Sequence, residues 1–383
     1  MFKSGKYLSQ GKYKTFQPTP LSEVPIITDI KIQSLLAEAM RHLGELNAYS
    51  ELVPDIDYFV RMHLLKEATS TSFIENINTS LETALQDEKE IEQASIEERD
   101  DWEEVQNYTK AINYAIERLH ELPFSTHLIC ETHEVLLSGV RGFTRAPGQT
   151  RRVQNFIGGS DITSAVFVPP SPETVPGLMS DLEQYWHDEA LPTPPLIRAA
   201  ICHYQFETIH PFLDGNGRLG RLLIALQLID SKLLNKPTLY ISDYFEKHRA
   251  AYYDSLDRVR ASGDIEQWLR FFLTGVAEIA ADACANLRAI VALRQNYLER
   301  INQSVGIRRQ KNARALLQML YAQPIVSVSR VETMLGCATE TARLLVEEFV
   351  SLGMFTELTP GRKKNRSFVL TEYFELFNTR RSV

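Results

Sequence analysis

Twelve consecutive residues fix how the middle of this chain can fold: His210-Pro211-Phe212-Leu213-Asp214-Gly215-Asn216-Gly217-Arg218-Leu219-Gly220-Arg221. Helical sequence lies on both sides of them. Leu196 to Ile209 offers Ile197, Ile201, Tyr204 and Phe206 for packing, and Arg218 to Asp230 reads as the next helix. Pro211 stops the first helix. Gly215 and Gly217 then allow a reversal tight enough for the second to start at once. This context separates the segment from a dinucleotide-binding turn. Gly215, Gly217 and Gly220 match the Gly-x-Gly-x-x-Gly spacing and Asp230 lies downstream, but that fingerprint needs a preceding strand. No Gly-x-x-x-x-Gly-Lys-Ser/Thr P-loop occurs anywhere in the chain.

The residue types in the turn converge on one chemistry. Gly215-Asn216-Gly217 falls at a helix N-terminus, where backbone N–H groups lacking intrahelical partners favour an anion. Arg218 and Arg221, three apart, share a helix face and present forked donors suited to a polyphosphate. Asp214 is a hard oxygen ligand fit for Mg²⁺. His210 titrates near neutrality and can accept a proton. Turn chemistry alone explains an isolated His-Pro or Gly-Asn-Gly. It does not explain base, carboxylate, cradle and two cations together.

The twelve-residue word is identical in form to the signature of the Fic-domain family, and the chain resembles a protein adenylyltransferase of that family. The resemblance implies ATP as substrate with Mg²⁺ held by Asp214, and His210 as the base that deprotonates a Ser, Thr or Tyr hydroxyl of a target protein. The Gly215, Asn216 and Gly217 backbone with Arg218 would stabilise charge moving toward pyrophosphate. Residues 150–168 resemble the family's β-hairpin flap, with Asn155, Phe156, Ile157 and Gly158 along the nucleotide. Gln205, Lys247 and Tyr252 are candidates for base or ribose contacts, or equally packing residues. Upstream, Thr71-Ser72-Phe73-Ile74-Glu75-Asn76 fits the family's inhibitory pattern, which implies that Glu75 engages Arg221 and blocks productive binding of the γ-phosphate. Reversal of the reaction, removing AMP from the target, is an open alternative for the same site, as is transfer of another nucleotide or phosphate-containing group.

The rest of the sequence sets the organisation. We expect an all-α chain, a helical bundle with a small β-hairpin flap, followed by a unit resembling a winged helix-turn-helix. Residues 1–110 hold an extended arm (1–27) and helices, with the inhibitory helix near 69–76. Residues 111–263 hold the core, 264–305 a connecting helix, and 306–383 the C-terminal unit. Helices are expected from near Lys31, at Asp57 to Ala68, Ser95 to Leu122 and Glu173 to Trp186. The C-terminal unit shows three short helices, then Phe355–Leu358, a Pro360-Gly361 turn and Ser367–Leu370.

Net charge is −8 over 383 residues, but it is unevenly spread. From Gly306 onward there are 12 Lys+Arg against 7 Asp+Glu, or +5, and the remainder carries 29 against 42, or −13. The basic wing candidates Arg362, Lys363, Lys364 and Arg366 could meet DNA phosphates. The third helix carries Glu340, Glu347 and Glu348 against Arg343 alone, so protein docking or homodimer formation is favoured over DNA. A DNA-binding regulator that merely senses nucleotide is the rival class, and an intact His210 and Asp214 argue against it, since sensing needs no base. The four cysteines, Cys130, Cys202, Cys284 and Cys337, show no Cys-x-x-Cys pairing. With no apolar leader and no membrane span apparent, a cytoplasmic enzyme that also modifies itself is the expectation.

Overall fold

Where the sequence reads as an extended arm, the first strands pair. The computed structural model describes residues 2–52, 56–86, 88–140, 142–362 and 366–378. β1 (Gly5–Ser9) and β2 (Lys14–Pro18) form an antiparallel hairpin, with Gly5 opposite Pro18 and Ser9 opposite Lys14. The pattern hid it because β2 does not alternate: Thr15 and Phe16 are both buried, one against each side of the turn back to the core.

Helices then dominate. They run as α1 (Ile30–Leu52), α2 (Ile56–Ile74), the single turns α3 (Leu81–Ala84) and α4 (Glu88–Ile91), then α5 (Ile96–Arg118) and α6 (Thr126–Leu136). α7 (Val175–His187), α8 (Pro195–Ile209), α9 (Asn216–Asp230), α10 (Ser242–Lys247), α11 (Arg249–Ser262) and α12 (Ile265–Ser304) complete the bundle. α5 starts on a reciprocal cap, in which the Ser95 hydroxyl accepts from the Glu98 amide and the Ser95 amide donates to the Glu98 carboxylate.

α8 has no solvent face. Every residue from Leu196 to Ile209 except Arg198 is buried, which is the signature of a central helix rather than an amphipathic one. α9 packs beside it and is buried almost as completely. α5, α6, α7 and α12 wrap the pair, and α1 lies along α12. α2 runs six residues past the expected end at Ala68 and closes on a left-handed Asn76 (φ 62°), whose neighbour Ile77 donates back to the Ser72 carbonyl.

The flap departs from the expected two-stranded hairpin. Between 150 and 168 the only ladder among the described residues is one antiparallel bridge, Ile157 to Phe167. Gly158 and Gly159 take positive φ, and Asp161 accepts from the Thr163 and Ser164 amides, so the chain is spent on a side-chain-tied turn rather than on strands. The flap is nevertheless anchored. The Phe16 amide of β2 donates to the Val168 carbonyl at 2.9 Å, and the Arg260 guanidinium lies 4.0 Å from the Phe167 ring.

Residues from 307 form a compact unit: α13 (Ile307–Leu320), β3 (Ile325–Ser327), α14 (Val328–Leu335), α15 (Thr339–Ser351), β4 (Phe355–Glu357), β5 (Ser367–Leu370) and α16 (Thr371–Glu375). The sheet order is β3-β5-β4, all antiparallel. β3 and α16 are additions to the expected pattern, each too short to show a period. Of the basic turn, Lys363 and Lys364 lie outside the described residues. This unit rests on the near end of α2, where Phe59 packs on Tyr321 and His63 on Phe377.

Three buried histidines and the part-exposed His210 are held as neutral groups. Burial pushes His63 and His203 down to about 3, and His133 and His210 down to about 4. Burial also pushes two carboxyls, Glu67 and Glu207, up to about 7. The histidines destabilise the fold as pH falls below 6.5, because the unfolded chain takes protons that the folded chain refuses. The carboxyls act oppositely between 7 and 4.5, where the folded chain holds the proton. Four imidazoles against two carboxyls leave a net uptake of about two protons on unfolding between pH 6.5 and 4.5, a slope near 3 kcal/mol per pH unit. Urea midpoints measured across that range should fall steadily with pH; a flat profile would show that the histidines are hydrated.

Candidate active site

The reversal after α8 places His210. Its amide still donates to the Phe206 carbonyl at 2.9 Å, but the residue itself is left-handed (φ 48°, ψ 61°), turning the imidazole out of the helix line. Such a backbone costs a non-glycine residue about 1–2 kcal/mol, so its surroundings must hold it. Asn216 closes the loop from the other side. Its side chain accepts from the Phe212 amide at 2.8 Å and donates to the Phe212 carbonyl at 2.9 Å. The Asn216 side chain therefore faces inward, and only its backbone is available to a ligand. Gly215 is left-handed (φ 73°) and starts α9, whose first turn opens into a cleft of about 320 Å³ that His210, Asp214 and Arg218 also line.

Three residues without any motif signal brace this loop. Buried Arg151 donates to the His210 carbonyl (Nε, 2.9 Å), the Ile209 carbonyl (3.2 Å) and the Pro170 carbonyl (2.5 Å), tying motif to flap exit. Burial lowers its pKa to about 10, which leaves it charged at neutrality. Asn155 donates to the His210 and Phe212 carbonyls at 3.3 and 3.0 Å. His133 stacks on Phe212 with ring centroids 3.8 Å apart. Its Nδ1 accepts from the Gly148 amide at 2.9 Å, so its Nε2 carries the proton and donates to the Asp214 carbonyl at 3.0 Å. Asp214 is thus held by its backbone, while its carboxylate stays part-exposed.

The two arginines are already engaged. Arg221 is fully buried; its Nε donates to the Thr71 hydroxyl at 2.6 Å and its Nη2 to Glu75 Oε1 at 2.7 Å. Burial pushes the Glu75 carboxyl up, but the Arg221 guanidinium, with Arg218 behind it, holds it below the usual carboxylate range. Glu75 also covers the cradle: a Cβ on Gly217 would lie 2.3 Å from its Oε1. Arg218 donates from Nη1 to Glu104 Oε2 at 2.5 Å, and both side chains are buried. His210 lies beside these groups with its Nδ1 unpartnered among the described residues. Burial, with the Arg260 and Arg151 cations, drives its pKa to about 4, so the imidazole is neutral and able to accept a proton at pH 7.

Of the residues expected at the site, Glu75, His210, Asp214, Gly215, Asn216, Gly217 and Arg218 line the cleft, and Arg221 lies behind Glu75. In the flap, Asn155 reaches the motif, whereas Phe156 is exposed and Ile157 and Gly158 serve the bridge and turn. The three residues open between nucleotide contact and packing are engaged elsewhere in this structure. Gln205 is buried against the Thr19 carbonyl. The Tyr252 hydroxyl pairs with His203 Nε2 and its ring stacks on Phe245 at 4.4 Å, which makes it core. Lys247 pairs with Asp243 at 2.8 Å beside a separate cavity between α2, α10 and α12. Gln205 and Lys247 lie away from the motif, whereas the Tyr252 hydroxyl lies near Arg221 and, through His203, the Gly220 carbonyl. Glu104, Arg151 and His133 are the functional neighbours that sequence reasoning missed.

Residues 33–117 match the Fic/DOC family N-terminal region and residues 123–228 the Fic/DOC family domain. The protein adenylyltransferase Fic of Culex quinquefasciatus and the protein adenylyltransferase fic-1 of Caenorhabditis elegans are each 36% identical over 125 residues, 32% of this chain and 22% of theirs. The Fic enzyme of Drosophila grimshawi is 28% identical over 236 residues, 61% of this chain and 44% of that one. The chain thus spans between a fifth and under half of the length of these curated relatives. In fold it is similar to a Fic family protein from Desulfovibrio desulfuricans G20, at a TM-score of 0.57 and 22% identity over 91% of this chain and 98% of that one. The motif, its helical setting and both matched regions agree: the chain belongs to the Fic/DOC family.

Proposed function

We propose that this protein transfers AMP from ATP to a side-chain hydroxyl of a protein and that the structure depicts its self-inhibited state. One observation carries the reading: a neutral, part-exposed His210 stands at the mouth of a glycine-walled helix N-terminus whose second arginine is occupied by Glu75. The target Ser, Thr or Tyr hydroxyl attacks the α-phosphorus of ATP. Its oxygen–phosphorus bond forms as the bond from the α-phosphorus to the α,β-bridging oxygen breaks, the hydroxyl proton passes to His210, and pyrophosphate leaves. Arg218 and the first N–H groups of α9 face the charge that moves onto the leaving group.

Asp214 is the residue that would hold Mg²⁺. Its carboxylate side chain is 44% exposed and lies 4.0 Å from Arg218, oriented into the cleft. A single carboxylate suits a cation that takes most of its ligands from substrate phosphates and water. Among the described residues no group of three or more His, Cys, Asp and Glu side chains converges, which fits such a shared site and not a closed protein cage. Mg²⁺ bound there supplies positive charge to the phosphates.

Residues 306–383 we read as a winged-helix unit that docks protein. Two of its arginines are already neutralised within the unit: Arg343 pairs with Glu340 and Glu347 on α15, and Arg366 pairs with Glu357 across the sheet. That favours docking or homodimer formation over DNA. Among the described residues no helix is long and apolar enough to cross a membrane.

Incubation with ATP and Mg²⁺ followed by intact-mass measurement tests the reading. Glu75→Gly should add AMP to the protein itself about 10 to 100 times faster than the parent chain, since the charge-assisted contact it removes is worth roughly 1.5–3 kcal/mol. His210→Ala in that background should add none; label on His210→Ala equal to its parent would discard the assignment. The pH profile is a second check. A base depressed to about 4 stays deprotonated well below pH 6.5. kcat/KM of Glu75→Gly should therefore be level from pH 8 to 6, and an acid limb centred at 6.5 or above would exclude the buried imidazole as the base.

A further inference from the structure

A second carboxylate acts on the anion cradle, and no part of the twelve-residue motif or of the inhibitory segment contains it. We infer that Glu104 is a positioning residue for Arg218, orienting its guanidinium toward the phosphate cradle and setting how much of its charge a bound polyphosphate meets. The inference rests on the adenylylation reading above for its kinetic arm only.

Glu104 lies in the middle of α5, 114 residues before its partner in sequence. Its Oε2 accepts from Arg218 Nη1 at 2.5 Å, with the two side chains 2% and 5% exposed. Its side chain also borders the same cleft as His210 and Gly217. On the opposite edge of the guanidinium, Nη2 stands 4.0 Å from Asp214 Oδ1. The planar fork is therefore held between two carboxylates, one buried and rigid, the other part-exposed and facing the cleft. A buried ion pair adds little to stability relative to apolar packing. What it fixes is direction, because a guanidinium has a fixed donor geometry. Arg218 sits in the first turn of α9 and lines the same cleft as Gly217 and His210, so the position fixed is beside the phosphate cradle.

α5 is suited to this task. Asp101, one turn before Glu104, accepts from the Asn78 amide at 3.0 Å, just beyond the Glu75 segment. One turn after it, Asn107 donates to the Ser138 carbonyl. The helix that holds Arg218 is thus pinned both to the inhibitory segment and to the loop that follows α6. The electrostatic consequence can be counted over the five groups paired here. Glu75, Glu104 and Asp214 bring three negative charges and Arg218 and Arg221 two positive ones, so these five sum to −1. Withdrawing Glu75 leaves a sum of zero, not +1, because Glu104 remains. Glu104 therefore keeps nucleotide binding moderate even in the open state, while keeping Arg218 aimed.

The test uses the full chain in the Glu75→Gly background, with Glu104→Gln and Glu104→Ala. Gln keeps an oxygen that accepts from Arg218 but drops the charge; Ala drops both. We expect Glu104→Ala to lower kcat about 10- to 30-fold with KM for ATP moved less than threefold, and Glu104→Gln to stay within threefold of the parent kcat. Calorimetric titration of Mg²⁺–ATP into the same variants carrying His210→Ala removes turnover, and there Glu104→Gln should bind about 3 to 10 times more tightly than its parent. Unchanged kcat in Glu104→Ala, or unchanged ATP affinity in Glu104→Gln at an undiminished melting temperature, overturns the inference. Should the Glu75→Gly parent itself transfer no AMP, the adenylylation reading fails, and the titration still decides the role of Glu104. Should Glu104→Ala not fold, Glu104→Gln carries both measurements.

Discussion

The site depends on a strained reversal between two buried helices. A left-handed His210 cannot sit at the end of α8 unless neighbouring groups hold it, and at least five hydrogen bonds do so: one accepted and one donated by the Asn216 side chain across the loop, and those that Arg151, Asn155 and His133 donate to the carbonyls around it. Each is worth about 1 kcal/mol net, or more where the donor is charged, against roughly 1–2 kcal/mol for the backbone. The same bonds settle the chemistry. They consume the His210, Phe212 and Asp214 carbonyls, while the imidazole and the first turn of α9 line the cleft.

α2 links three parts of the structure. At its far end Thr71 and Glu75 hold Arg221, from its middle Glu67 accepts from the Ser242 amide at 3.0 Å and from Tyr108, and at its near end Phe59 and His63 pack on the C-terminal unit. A rigid helix of 19 residues spans about 28 Å. Displacing Glu75 therefore means either fraying the last turn at the Asn76 cap or moving the whole rod against the C-terminal unit. Only the second route would let a docking event on that unit be felt at Arg221, which gives α2 two physically distinct modes of release.

The parts of this protein legible in its sequence are those whose chemistry is local. The His210–Arg221 word, its helical flanks and the Glu75 segment can be read because each packs several constrained residue types into one or two turns. The braces could not be read. Arg151, His133 and Glu104 are single residues of common type, 59, 81 and 114 positions from the backbone or side chain they hold, and no short-range pattern marks them. Gln205, Lys247 and Tyr252 were open between nucleotide contact and packing for the converse reason: they were placed by resemblance, and here Gln205 meets the Thr19 carbonyl, Tyr252 an aromatic core and Lys247 a separate cavity. The β1–β2 hairpin was missed because β2 buries the adjacent Thr15 and Phe16 and β1 stays largely exposed, so neither shows the alternation that announces a strand.

Charge bookkeeping explains why such a cradle must come with its own carboxylates. Two buried guanidiniums without partners would carry a desolvation penalty of several kcal/mol each. The fold can keep them charged and dry only by supplying anions where the substrate's phosphates would otherwise be. Glu104 is only 2% exposed, whereas the Glu75 side chain is 36% exposed and sits beyond the end of its helix. Of the two, Glu75 is the carboxylate that can leave into water, as the proposed self-inhibition requires. A polyphosphate entering the cleft then replaces a carboxylate that the arginines already required, and the exchange asks the protein to desolvate no new charge of its own.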